Sequence, residues 1–177
     1  MRLNRIFPLL LIFSITTSSL FAQPQQTVRY EYYEVHGLTA AEIRKSLDEH
    51  QHRTHGFGGH DALTSSKLLW RGGPQPSVRA DILYQLPKWV DGDQAPAELR
   101  ETWKRFQKAI LIHEDGHRQL IEDEVRAIEQ MVIAAGPRPN RYLSRDVNVL
   151  MQSFDKKQQE YDKITWHGRT QGAVFNG

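Results

Sequence analysis

Residues 109–124 read AILIHEDGHRQLIEDE, and they form the middle of the stretch that decides the fold. Apolar residues recur at helical spacing on both sides of them, a pattern typical of a helix that packs one face on a hydrophobic core. A proline at 96 is tolerated in a first helical turn, and the Gly-Pro pair at 136–137 ends a helix. We therefore predict one long helix between these limits, with His113 and His117 on its core side.

The rest of the chain predicts a small sheet and two further helices. Alternation of apolar and polar residues indicates three strands, at 27–35, 64–71 and 77–86. Thr39 and Glu42 have the T-x-x-E spacing of a capping box, which predicts a helix over residues 40–49. Apolar residues at helical spacing from Leu143 to Ile164 indicate a second long helix. The expected fold class is α+β, with a small antiparallel sheet packed on the long histidine-bearing helix and the second long helix.

The first residues have the form of an export signal. The basic MRLNR precedes an apolar and then small-residue segment, IFPLLLIFSITTSSLFA, which ends at Ala22 before a polar stretch. The strongly apolar part is shorter than the roughly 20 residues that a membrane span needs. We expect a signal peptide over residues 1–22 and a single exported domain over residues 23–177, periplasmic or secreted and with no stable membrane anchor after cleavage.

The composition limits how the domain is stabilised and what it binds. The chain has no cysteine, so disulfides cannot support the fold and a hydrophobic core must do so. The formal net charge is +2, and basic residues alternate with acidic ones instead of forming runs. Nucleic acid is therefore not expected as a partner.

His113, Glu114 and His117 form an H-E-x-x-H motif. Residues i and i+4 project from one helix face about 6 Å apart, so their imidazoles can bind one metal ion. Glu114 is one step round the helix, where it can reach the water that the metal activates and act as general base. Both histidines occupy core positions, where an unpaired imidazole would cost about 1 to 3 kcal/mol. The motif predicts zinc (Zn2+) as cofactor, a peptide or protein substrate, and a zincin-like metallopeptidase domain.

A glycine lies inside this motif. Gly116 costs about 1 kcal/mol of helix propensity relative to alanine, so its missing side chain should serve a purpose. We expect a strand or the C-terminal tail to approach the helix closely there.

The third zinc ligand must come from outside the long helix. In the pattern H-E-x-x-H-x-x-G-x-x-H a glycine turns the chain back to the metal, but the corresponding positions here are Leu120 and Asp123. The helix therefore continues past the motif. The tail segment YDKITWHGRTQG, residues 161–172, supplies other candidates.

In this tail, His167 is the preferred third ligand because another imidazole completes a three-nitrogen zinc site. Asp162 is then a residue that orients the ligands, or the alternative third ligand. Tyr161 is a candidate for stabilising an oxyanion.

The chain resembles the bacterial family of predicted secreted zinc-dependent proteases, long classed as a domain of unknown function. The resemblance rests on the export signal, YYEVHGLTAAEI, LPKW before the long helix, HEDGH in it and the tail YDKITWHGRTQGA. It covers most of residues 23–177, and HEDGH and YDxxTxHG are its most specific parts. It implies site roles for five positions, which are His113, Glu114, His117, Asp162 and His167. Family members often carry cysteines, so in this chain packing must replace any disulfide.

A second group of histidines competes with the helix motif by number alone. The segment EHQHRTHGFGGHD contains His50, His52, His55, His60 and Asp61, but their spacing matches no structural zinc pattern. We interpret it as a solvated loop that can border the cleft, with adventitious or regulatory metal binding as the alternative.

Two further functions are compatible with the same residues. A non-catalytic zinc-binding protein of the cell envelope would use the three ligands structurally, and a zinc amidase would act on a non-protein amide. Glu114 favours hydrolysis, because a closed structural site has four protein ligands and no need of a general base.

Overall fold

The computed structural model describes residues 25–53, 60–137 and 140–176, so the predicted signal peptide lies outside the described residues. The elements in chain order are β1 (Gln25–Val35), α1 (Ala40–Arg53), β2 (Leu63–Arg71), β3 (Ser77–Trp89), α2 (Ala97–Ala134) and α3 (Leu143–Thr165). Short 3-10 turns occupy Gly92–Gln94 and Arg169–Gln171. The predicted α+β class is confirmed, and so are the existence and type of all six elements.

The sheet has three strands in the order β1-β3-β2. β2 and β3 form the predicted antiparallel hairpin across the GGPQP turn, but β1 pairs with β3 in parallel, so the expectation of an antiparallel sheet is wrong for β1. The apolar strand β3 takes the centre, and its hairpin partner occupies one edge. The other edge is left for β1, which reaches it in the parallel direction because α1 intervenes before the hairpin.

The sheet packs through one face of β3 on α2. Alternate residues of β3 are buried, as their period predicts: Val78, Ala80, Ile82, Tyr84 and Leu86. The facing stripe of α2 runs over about eight turns, through Trp103, Phe106, Ile110, Ile121, Val125, Ile128 and Val132. The Tyr84 hydroxyl also donates a hydrogen bond of 2.6 Å to Asp115 of α2. The middle of α2, which carries the motif, is therefore fixed to the sheet.

α1 begins at the predicted capping box. The backbone N–H of Glu42 donates to the Thr39 hydroxyl at 3.3 Å, and that of Thr39 donates to the Glu42 carboxylate at 3.1 Å. The helix continues to Arg53, so His50 and His52 are helical and the prediction of a loop is wrong for them. An amphipathic helix continues here because no glycine or proline interrupts it before residue 56.

α3 lies alongside α2 and ends at a left-handed residue, Trp166. The chain then returns towards the core, where Phe175 is only 2% exposed and packs edge-on against Trp103 and Phe106. α3 and the tail thus cover the face of α2 that carries the histidines. None of the helices within the described residues has the length and apolar character to cross a membrane.

Candidate metal centre

α2 directs three motif side chains into its interface with α3 and β2. His113 and Glu114 are 5% and 3% exposed, and His117 is half-buried. The i, i+4 spacing brings the Nε2 atoms of His113 and His117 to 3.3 Å from one another. The two imidazoles therefore face the same point, as the motif predicts.

Asp162 of α3 completes the cluster. Its Oδ1 lies 3.0 Å from His117 Nε2 and 3.3 Å from His113 Nε2, and these three donor atoms can hold a metal ion. Around a four-coordinate zinc, with ligands at about 2.0 to 2.1 Å, neighbouring ligand atoms are about 3.3 Å apart. The three observed separations match one face of such a tetrahedron.

Two glutamines set which nitrogen of each ring faces the cluster. The amide oxygen of Gln158 lies 2.6 Å from His117 Nδ1, while its amide nitrogen donates to the His117 carbonyl. The amide oxygen of Gln171 lies 3.0 Å from His113 Nδ1, while its amide nitrogen donates to the Tyr161 hydroxyl. An amide oxygen only accepts, so Nδ1 carries the proton in both rings. Both Nε2 lone pairs are therefore free to bind a metal.

The cluster brings together three electron-pair donors, which repel one another unless a proton or a metal ion lies between them. Burial lowers the pKa of His117, but hydrogen bonds to Asp162 and Gln158 and the nearby carboxylates outweigh it, so the pKa is raised. Burial opposes ionisation of Asp162, yet its hydrogen bonds to the two histidines hold its pKa well below the ordinary value. A proton or a metal ion between these atoms satisfies all three.

Glu114 lies beside the cluster with one oxygen unsatisfied. Its Oε2 is buried and has no hydrogen-bond partner among the described residues. Burial raises the pKa of its carboxyl, although the two histidines act in the opposite direction. Its own carbonyl accepts from the Thr64 hydroxyl of β2 at 3.3 Å, which ties this turn of α2 to the sheet. This turn of α2 is thus fixed, and Glu114 has one carboxyl oxygen available to accept a proton.

Gly116 allows the close approach predicted for it, and the approaching group is the Tyr161 ring of α3. A Cβ at residue 116 would lie 2.0 Å from the Tyr161 hydroxyl. That hydroxyl donates to the His113 carbonyl at 3.1 Å, and the ring stacks on the His113 imidazole. Tyr161 is not among the residues that line the cleft, and its hydroxyl supports the backbone of His113.

His167 lies next to the three-donor cluster. Its Nδ1 is 3.4 Å from Asp162 Oδ1, its side chain is 53% exposed, and its ring packs on that of His60. Its backbone and that of Trp166 have positive φ, at 52° and 48°, a strained conformation for residues with side chains. These left-handed residues end α3 and turn His167 towards the solvent side of Asp162.

The cluster opens into a cleft of about 860 Å³ between α1, α2, α3 and β2. His60 and Asp61 line it, so part of the histidine-rich segment does border the cleft. Asp61 accepts two hydrogen bonds from Arg44, at 2.9 and 2.7 Å, and anchors α1. His50 stacks on Tyr33 instead, while His55 lies outside the described residues.

The supporting glutamines were not identified from the sequence. Gln158 lies four residues before Asp162 in α3, so both share one helix face, and this spacing was the available signal. Gln171 had no such signal, because its position depends on the left-handed turn after α3. Asp162 and His167 were both identified, and the structure brings Asp162 into the cluster with His113 and His117.

Comparison with known protein families gives a match over most of the chain. No curated protein and no solved structure matches the chain significantly. The family described as bacterial protein of unknown function (DUF922) matches residues 30–168, a range that includes the motif, Asp162 and His167. This range is most of the chain, and the chain belongs to that family of bacterial proteins.

Proposed function

We propose that this protein is an exported, zincin-like zinc hydrolase that cleaves amide bonds in peptides. The observation that carries the proposal is the convergence of His113, His117 and Asp162 beside a buried carboxylate with an unsatisfied oxygen, Glu114 Oε2. Export rests on the basic and apolar residues at the start of the chain.

The donor set favours zinc over the harder cations. Two imidazole nitrogens and one carboxylate oxygen are a typical catalytic zinc set, whereas magnesium and calcium prefer oxygen ligands. A zinc ion held there would supply Lewis acidity, which lowers the pKa of a water molecule and polarises a carbonyl group. We assign Asp162 as the third ligand in preference to His167, because its Oδ1 faces both Nε2 atoms.

Glu114 has the position and chemistry of the general base. Its carboxyl can take a proton from the attacking water and return it to the departing amine. Burial raises its pKa, which makes it a stronger base than an exposed glutamate. His167, half-exposed beside Asp162, is placed to donate a hydrogen bond to the substrate carbonyl oxygen.

A peptide is favoured over a small amide by the strand that borders the cleft. β2 is an edge strand, paired only with β3 among the described residues, and Leu63, Thr64 and Ser66 line the cleft. The free edge of a strand can form backbone hydrogen bonds with an extended peptide. An amidase for a compact substrate has no use for this edge.

Glu114→Gln tests the proposal. The variant should keep about one zinc per chain but hydrolyse a peptide mixture at least about a hundredfold more slowly, because only the proton acceptor is lost. Metal analysis and mass spectrometry of the digest measure the two quantities. Glu129→Gln, on the same helix but outside the cleft, is the matched control. Unchanged turnover in Glu114→Gln would remove the general-base role.

A structural zinc site is the second candidate, and His167 is the observation that favours it. With His167 Nδ1 only 3.4 Å from Asp162, a fourth protein ligand is near and could close the coordination shell. In that case His167→Ala should weaken zinc binding as much as His113→Ala. No peptide should then be cleaved by the wild-type protein.

A further inference from the structure

The cleft continues beyond the metal centre to two carboxyl groups that the proposed chemistry does not use. Glu124 lies two turns after His117 on α2, about 10 Å along the helix axis. Asp155 projects from α3, and both residues line the cleft. The pair therefore lies at a distance from the reaction centre where the substrate chain would pass.

Glu124 is a buried residue whose carboxyl lines the cleft and has no partner in the described part of the chain. Only 6% of the residue is exposed, yet within the described part of the chain neither Glu124 nor Asp155 makes a hydrogen bond or ion pair. A buried carboxylate is costly unless it is paired. Burial and then the charge of Asp155 raise the pKa of Glu124 to about 7, as expected where no cation is provided.

The basic side chains of the cleft do not provide that cation. Arg44 donates to both oxygens of Asp61 and also pairs with Asp48 at 2.7 Å. Six acidic residues line the cleft and two arginines do, although the whole chain carries a net charge of +2. The acidic excess is therefore a local property of the cleft, and it attracts positively charged ligands.

We propose that Glu124 and Asp155 form a subsite for a lysine or arginine side chain of the peptide substrate. This inference rests on the proposed function and deepens it by naming the substrate class. An extended peptide advances about 3.3 Å per residue, so a span of about 10 Å places the cationic residue about three positions from the bond cleaved. Ammonium and guanidinium groups supply the hydrogen-bond donors that both carboxyls lack.

Binding can be tested without hydrolysis. Zinc-loaded Glu114→Gln protein is immobilised and incubated with an N-acetylated random peptide pool that contains lysine, arginine and the uncharged norleucine. The incubation is carried out at pH 8, where Glu124 is ionised, and the retained peptides are sequenced by mass spectrometry. Lysine and arginine should be enriched over norleucine by about tenfold or more, the value of a charged hydrogen bond.

The enrichment should disappear when Glu124→Gln or Asp155→Asn is added. Glu129→Gln, the same substitution on the same helix outside the cleft, should leave it unchanged. Equal retention of lysine and norleucine peptides, or enrichment that survives Glu124→Gln, overturns the subsite. Enrichment confined to a pool with free amino termini assigns the subsite to an α-amino group and overturns the side-chain proposal.

The two proposals fail in different ways. If the wild-type protein cleaves peptides without any preference for lysine or arginine nearby, hydrolysis stands and the subsite is lost. If lysine peptides are retained through Glu124 but the wild-type protein cleaves none, the subsite stands as a binding site and the hydrolase proposal is lost.

Discussion

His113 and His117 each use one ring nitrogen to be held and the other to face a shared point. Gln171 and Gln158 accept from the Nδ1 atoms, so both Nε2 atoms present lone pairs towards Asp162. Such fixation of the tautomer by a second hydrogen bond is typical of metal-binding histidines. A histidine that is only hydrogen-bonded in a core does not need this arrangement. Its second ring nitrogen would face a hydrogen-bond donor, whereas here each Nε2 faces two other electron-pair donors.

The contributions of Asp162 and His167 to zinc affinity give a prediction at the scale of residues. Asp162→Ala should loosen zinc by several orders of magnitude, because it removes the atom that faces both Nε2 atoms. His167→Ala should cost about 10- to 100-fold, as for a residue that only contacts a ligand. Competition with a chelating dye measures both, and His113→Ala sets the value for a lost ligand. The opposite order would make His167 the ligand.

The raised pKa of Glu124 predicts that the free energy of unfolding depends on pH. Its pKa is raised from 4.5 to about 7, first by burial and then by Asp155. Between these values the unfolded carboxyl loses its proton while the folded one keeps it, so rising pH lowers the free energy of unfolding. Above about pH 7 the carboxyl is ionised in both states, so the free energy of unfolding does not fall further. Glu124→Gln should therefore stabilise the protein by about 1 to 2 kcal/mol at pH 8, after allowance for screening by water in the cleft.

At pH 4 the same substitution should have little effect, because Glu124 is protonated in both states. Urea unfolding at the two pH values, with chelator present so that zinc does not contribute, measures the difference. Glu129→Gln is the control for the loss of a surface charge. A Glu124→Gln effect that is equal at both pH values would mean that the carboxyl does not titrate with a raised pKa.

At the scale of elements, one face of α2 both packs on the sheet and carries the two histidines. Its apolar residues pack on β3, while its middle two turns carry His113 and His117 against α3. The contact between the helices depends on Gly116, because the Tyr161 ring fills the space that a side chain would take. The position of Asp162, one residue further along α3, depends on the same contact.

Gly116→Ala tests this dependence. Alanine should gain about 1 kcal/mol of helix propensity, but its Cβ would meet the Tyr161 ring, and overpacking of this kind costs about 1 to 3 kcal/mol. The net effect should be destabilising, with weaker zinc binding because α3 moves outward. In a Tyr161→Ala background the same change should become stabilising. A double-mutant cycle by thermal unfolding measures the coupling, and additive effects would contradict the contact.

The sequence predicted what depends on local pattern and missed what depends on how elements meet. The capping box at Thr39 and the spacing of His113 and His117 were both predictable, because each follows from helix geometry. The parallel direction of β1 was not, since no local signal in a strand sets its partner. The preference for His167 over Asp162 came from ligand chemistry alone. The left-handed end of α3, which turns His167 outward, has no clear signature in Trp166.

At the scale of the whole molecule, the cluster of His113, His117 and Asp162 joins two distant parts of the chain. The sheet, α1, α2, the first half of α3 and Phe175 share one hydrophobic core, and the second half of α3 with the tail covers the site. The contacts that hold this cover include Asp162 at the cluster, Gln171 hydrogen-bonded to His113, and Phe175 packed against Trp103 and Phe106. Residues 166–174 have few buried side chains, so their order depends on these contacts.

Chelation should therefore loosen one part of the protein before the rest. Without a shared cation, His113, His117 and Asp162 no longer hold α3 to α2 through a metal, and the turn over residues 166–172 loses one of the contacts that order it. Hydrogen exchange followed by mass spectrometry should become at least about tenfold faster there, while β3 and the second half of α2 exchange as before.

His113→Ala provides the control for this last prediction, because a chain that cannot bind the metal should exchange quickly over residues 166–172 with or without chelator. Phe175→Ala should also free that segment, but chelator should accelerate exchange further since the metal tie is still present. Uniform acceleration across β3 in the wild-type protein would mean that zinc supports the entire fold, as in a closed structural site. Unchanged exchange over residues 166–172 after zinc has left would show that Gln171 and Phe175 order the tail without the metal, and that Asp162 can lose the metal without moving.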